Sequence, residues 1–115
     1  MTDAEIIRAT AGKVMGWKEF GAEVAYPEVG LIVVVPGAHG YTMQCWNPLA
    51  SDTDACAIWD ELLITHDFVG TQCCDGEWVC NISGHYAMGP KFQASAADRR
   101  RAICLAALEA VGVET

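Results

Sequence analysis

Trp46-Asn47-Pro48-Leu49-Ala50-Ser51-Asp52-Thr53-Asp54-Ala55 is a strand end, a stiff turn and a helix start in ten consecutive residues. Pro48 fixes its own φ and biases Asn47 away from helix, so a strand running from Tyr41 to Trp46 must stop there. Ser51 is then an N-cap: its hydroxyl accepts from the amide of Asp54, while the Asp54 carboxylate is expected to reach back to the Ser51 amide, a capping box in its Asp variant. The same hydroxyl-to-carboxylate spacing recurs in Thr2-Asp3-Ala4-Glu5 and Ser95-Ala96-Ala97-Asp98. It predicts three helices, near 3–15, 52–64 and 96–111. In the last, Ile103, Cys104, Ala107, Leu108 and Val111 form one apolar stripe that Gly112 ends.

Strands fill the intervals. Before the second helix lie 18–26, 30–35 and 41–46, parted by Pro27-Glu28 and Pro36-Gly37-Ala38-His39-Gly40, both turn compositions. After it, 68–74 and 78–83 flank Asp75-Gly76, a pair suited to a tight hairpin, and a last strand is expected near 86–94. Leu31-Ile32-Val33-Val34-Val35 does not alternate, which predicts a strand buried on both faces with helices on both sides of its sheet. The expected fold is α+β: a three-layer α-β-α sandwich with one mainly antiparallel sheet of five to six strands and three helices, as a single domain over 1–115.

Composition narrows the function. Against 15 acidic residues stand 7 basic ones, a formal net charge of −8, which repels a phosphate backbone and argues against nucleic-acid binding. Imitation of DNA would need evenly spaced carboxylates, whereas these gather at helix starts. No run reaches the ~20 apolar residues that span a bilayer, and Met1-Thr2-Asp3-Ala4-Glu5 is unlike a signal peptide, so a cytosolic protein without a membrane partner is expected. The six cysteines are then expected to be reduced and mostly buried.

Val14-Met15-Gly16-Trp17 closing the first helix, Trp46-Asn47-Pro48 with 51–55, Trp78-Val79-Cys80, and Arg101 to Gly112 at the end resemble, in order and spacing, small phage and prophage proteins carrying the phage ABA sandwich domain. The resemblance implies an α-β-α fold and the setting of a phage accessory protein in the cytoplasm of an infected bacterium. It carries over no catalytic residue. This chain departs from the pattern just before the final helix, where relatives commonly have small or apolar residues and proline and it has Asp98-Arg99-Arg100-Arg101.

That cluster is the most unusual local feature. Cations in the first turn of a helix oppose its macrodipole, so three of them call for an anion. Arg99, Arg100 and Arg101 with Ser95 would suit a phosphate, and Trp17, Trp46, Tyr41 and Tyr86 would stack on a base. The plainer alternative is a solvated arginine face and a core use of the tryptophans, which Trp59 and Trp78 are expected to serve in any case. Cys73, Cys74, Cys80 and His85 lack metal-ligand spacing, because adjacent strand residues point to opposite faces. His66 beside Asp67 and His39 in a Gly-flanked loop have no nucleophile partner in sequence. Asp52 and Asp54 are explained by capping. The expectation is therefore a non-enzyme without metal or cofactor, a possible homo-oligomer, that sequesters a small anionic metabolite such as a nucleotide immune signal. The alternative is an acidic protein-interaction module that inhibits or redirects a host protein.

Overall fold

The computed structural model describes residues 1–20, 25–26, 30–83 and 91–114. Helix α1 (Asp3–Ala9) continues as a π-helical turn (Thr10–Val14); β1 (Lys18–Glu19), β2 (Ala25–Tyr26), β3 (Gly30–Gly37) and β4 (Gly40–Trp46) come next. Then come α2 (Asp52–Thr65), β5 (Phe68–Cys74), β6 (Glu77–Ser83), β7 (Lys91–Ala96) and α3 (Arg99–Ala110). The protein is α+β; its described residues form three α-helices, and the pairing of the described strands is antiparallel throughout.

The helix starts obey their caps. Thr2 Oγ1 accepts from the Glu5 amide at 3.2 Å and Ser51 Oγ from the Asp54 amide at 3.3 Å. The reciprocal half of the second box is redirected: Asp54 Oδ2 accepts from the Asn47 amide at 2.9 Å, and the Ser51 amide instead donates to the Asn47 carbonyl. One carboxylate thus ties the end of β4 to the start of α2. The third cap is a correction. Asp98, not Ser95, caps α3, accepting from the amides of Arg100 and Arg101 at 2.8 and 3.4 Å, while Ser95 remains in β7. The far end of α3 closes as a Schellman motif, with Gly112 at φ 84° and the Val113 amide on the Leu108 carbonyl. In the first helix, Thr10 Oγ1 donates to the Ile7 carbonyl at 3.0 Å, a side-chain intrusion on the helical ladder, and the Met15 amide reaches back to Thr10 in the wider π register.

The strands form two sheets rather than the single sheet expected. In the first, β4 pairs with one edge of β3, and both β1 and β2 pair with the other; in the second, the order is β5-β6-β7. Among the described residues no ladder joins them, because Pro48 ends β4 and α2 carries the chain away. Asp75 and Gly76, at φ 53° and 79°, make the expected two-residue hairpin between β5 and β6. Gly30 is required where it stands: at φ 97°, an added Cβ would lie 2.3 Å from the Trp46 carbonyl oxygen. The last strand begins at Lys91; the part of its expected span before 91 lies outside the described residues.

One buried cluster joins all of this: Ile6 and Ile7 of α1, Leu31, Val33 and Trp46 of the first sheet, Ile58 and Leu62 of α2, Cys80 and Ile82 of the second sheet, and Ile103, Ala107 and Leu108 of α3. Helix α3 touches β6, β7, α2, the π-helical turn and α1, while α1 covers β2 and β3. Strand β3 corrects a second expectation. It is not buried on both faces: Leu31 and Val33 are enclosed, but Ile32 and Val34 are only part-buried and, by alternation along the strand, belong to the other face.

Candidate functional site

Among the described residues, those singled out in sequence do not converge. Arg99, Arg100 and Arg101 have protein partners. Arg99 Nε donates to Thr71 Oγ1 at 3.2 Å and its guanidinium lies 5.6 Å from the centre of the Trp59 ring. Arg100 bonds the Asp98 carboxylate, donates to the Ala50 carbonyl at 2.8 Å and lies 3.8 Å from Asp52. Arg101 pairs with Asp3 at the start of α1. Much of the anion that the helix start calls for is supplied by the chain: Asp98 and Asp52 lie against Arg100 and Asp3 against Arg101, which ties the N-termini of α1, α2 and α3 together, while Arg99 rests on Thr71 and the Trp59 ring. The side-chain hydrogen bond from Arg100 holds the Asp98 carboxyl below its ordinary value and in turn raises Arg100.

Ser95 cannot join that cluster. It pairs with Val79 between Ala94 and Ala96; since Ala96 is buried and its cross-strand neighbours on the same face include buried Cys80, Ser95 projects from the opposite side of the sheet. Trp46 is a core residue, fully buried, with its indole Nε1 donating to Thr10 Oγ1 at 3.1 Å and the Trp17 ring against it edge-on at 4.9 Å and 82°. Tyr86 and His85 lie outside the described residues. Trp59 and Trp78 are part-buried against the core.

Other candidates have local partners too. His66 Nδ1 sits 2.9 Å from Thr65 Oγ1 and 3.3 Å from the Leu62 carbonyl, with Phe92 edge-on to its ring. Among the described residues, no group of three His, Cys, Asp or Glu side chains is placed to hold a metal ion. All six cysteines are free, and the expectation that most are buried is corrected: Cys45, Cys56, Cys73 and Cys74 are exposed. Burial raises the thiol of Cys80 to about 11 and that of Cys104 to about 12, so both stay protonated packing groups.

Among the described residues of the expected site, Tyr41 is the one that borders an open apolar surface. Register places it on one face of the first sheet with Met43 and Cys45 of β4, Ile32, Val34 and Pro36 of β3, and Lys18 of β1. Phe20, whose amide donates to the Ile32 carbonyl, joins them at the edge. Tyr41 is 77% exposed, Met43 61% and Phe20 53%. Two shallow grooves flank these side chains, one of about 290 Å³ lined by Gly16, Lys18, Glu19, Val34, Pro36 and Tyr41, the other of about 300 Å³ lined by Phe20, Ile32, Met43, Gln44 and Cys45. Among the described residues two charged side chains border the first groove: Lys18, on this face by register, and Glu19, which is paired with Arg8 at 3.2 Å. Sequence reasoning missed Phe20, Met43 and Cys45, although the alternation Tyr41-Met43-Cys45 against Thr42-Gln44 is there to be read.

The described part of the face holds no nucleophile with a base beside it and no cluster of acids. What it can do chemically is bury apolar area. Compared with family models, curated proteins and solved structures, the chain matches none.

Proposed function

We propose that this chain is a non-catalytic binding module that acts through contact between protein surfaces, and that the outer face of the first sheet is the contact surface. The observation carrying this reading is the contiguous exposure of Phe20, Tyr41 and Met43 around part-buried Ile32 and Val34. Large apolar side chains grouped on one face of a sheet mark an interaction site far better than the same side chains scattered singly. Enclosure of the first sheet on both sides, which the β3 sequence asks for, belongs to the same proposal, with a second protein surface over Ile32 and Val34 in place of the outer helix layer that the α-β-α expectation put there. The setting, a phage or prophage accessory protein in the cytoplasm of an infected bacterium, rests on the sequence resemblance to phage ABA sandwich proteins.

Sequestration of an anionic metabolite has less support, because each guanidinium of Arg99, Arg100 and Arg101 already has a carboxylate, carbonyl or hydroxyl partner. A nucleotide would have to displace those contacts.

A photo-cross-linking phenylalanine analogue in place of Tyr41 separates the two readings. Irradiation in cells is expected to yield covalent protein adducts from position 41 and none from the same analogue at Gln93, on the polar outer side of the second sheet. Absence of adducts at 41, together with recovery of an intact nucleotide from heat-denatured protein, would return the weight to sequestration.

A further inference from the structure

We infer that the outer face of the first sheet is covered by a second copy of this chain, the two sheets packing face to face about a two-fold axis. This rests on the protein-contact reading above and names its partner.

The face meets the geometric condition for pairing with itself. In an isologous contact each surface must carry both the protrusion and the recess that receives it. Tyr41 and Met43 stand out of the sheet, and a groove lies beside each, one along Val34 and Pro36, the other along Ile32 and Cys45. A half-turn brings the Tyr41 and Met43 of each copy over the grooves of the other. Sheets stack in this way about 10 Å apart, with inward side chains interdigitating.

Area is sufficient. At their observed exposures Phe20, Tyr41 and Met43 present roughly 400 Å² per copy. With the adjoining exposed parts of Ile32, Val34, Pro36 and Cys45, two facing copies remove on the order of 1,000 Å² in total, the threshold for a specific interface.

Charge selects the occupant. A chain of net charge −8 repels its own copy over most of its surface. Here repulsion is reduced: among the described residues the charges bordering the face are Lys18 and Glu19, and Glu19 is paired with Arg8. One lysine gives an acidic ligand or a nucleic acid little to hold, whereas the Phe20, Tyr41 and Met43 of a second copy match the apolar area this face presents. Burial of Ile32 and Val34 by the second copy also gives β3 the two covered faces that its unbroken run Leu31–Val35 calls for.

Sedimentation equilibrium of the reduced protein tests this. The expected mass is twice 12.4 kDa. Met43→Glu and Tyr41→Asp should each restore the single-chain mass with unchanged far-ultraviolet circular dichroism, while Gln93→Glu stays double. Cys45 supplies a reading that needs no mutation: mapped by mass spectrometry, its thiol labelling should slow about tenfold between roughly 1 and 200 µM protein, while Cys56 and Cys73 keep their rates. A single-chain mass at the higher concentration, or a Cys45 rate independent of concentration, overturns the second copy. The two readings fail separately. Adducts at position 41 to a different chain, with a monomeric mass, remove the second copy and leave the contact reading standing; a monomeric mass with no adduct removes both.

Discussion

Trp46 is the residue on which the core and ligand-stacking readings give opposite outcomes. Trp46→Phe replaces a fully buried indole by the smaller phenyl ring and removes the N–H that donates to Thr10 Oγ1. The cavity left, about 40 Å³ at ~24 cal/mol per Å³, costs about 1 kcal/mol. The lost transfer free energy of the deleted carbons adds about 1 kcal/mol. The hydrogen bond contributes about another 1 kcal/mol. A loss near 3 kcal/mol is therefore expected, read from urea unfolding at fixed protein concentration, a large share of the ~5–15 kcal/mol that holds a domain together. Thr10→Val keeps the shape but leaves the indole N–H without an acceptor, and should cost about 1–3 kcal/mol. The double variant should lose about 1 kcal/mol less than the sum, since both single changes break one bond. A Trp46→Phe cost under about 1 kcal/mol with additive behaviour would refute the core assignment and bring Trp46 back as a stacking surface.

Other substitutions and pH have equally definite outcomes. Gly30→Ala meets both a φ of 97° and a backbone oxygen 2.3 Å from the new Cβ, so a thermal melt should report a loss of about 3 kcal/mol or more, whereas exposed Gly12→Ala, with open space around it, should stay within about 1 kcal/mol. The folded-state thiols of Cys80 and Cys104 are raised by burial to about 11 and about 12 against an ordinary 9.0; their contribution is complete below pH 9 and is lost as pH rises toward those values, so unfolding free energy should fall above pH 9 and less steeply in Cys104→Ala. Asp98 is shifted the other way: its contribution is present above the ordinary value of 3.8 and lost as pH falls through its lower native one, so Asp98→Asn should flatten the acid limb of the stability curve, and Asp98→Ala should cost about 1 kcal/mol of helix cap at pH 7.

Local chemistry is legible in the sequence, and distant pairing is not. Ser51, Thr2, Asp75-Gly76 and Gly112 act within three or four residues of themselves, so their geometry comes from the residue types alone. The partners of the arginines do not: Asp3 is 98 positions from Arg101, and Ala50 is 50 from Arg100. A reading of the last helix by itself sees three cations in want of an anion, and only the fold shows that the starts of the other two helices deliver it. Ser95 reads as a cap, but Asp98, three residues on, is an equally good one, and the choice is made by β7, which holds Ser95 in its ladder opposite Val79.

Burial in the first sheet runs against the sequence pattern of its strands. In β4 the alternation Tyr41, Met43, Cys45 against Thr42, Gln44 argues for an inward apolar row, yet Trp46 has the parity of Thr42 and Gln44 and is the residue buried beneath α1's π-helical continuation. The indole, anchored on Thr10, fixes the register, and a one-residue slip that turned Tyr41 inward would expel Trp46 from the core. The period-2 signal in β4 and the unbroken apolar run in β3 therefore both ask for cover on the outer side, and the single chain supplies cover only on the inner one. Two independent strands make the same demand of the same face. A surface facing water permanently is under no pressure to place Phe20, Ile32, Val34, Tyr41 and Met43 side by side, and under the proposed contact the conflict between pattern and burial has its source in a missing second surface rather than in an error of register.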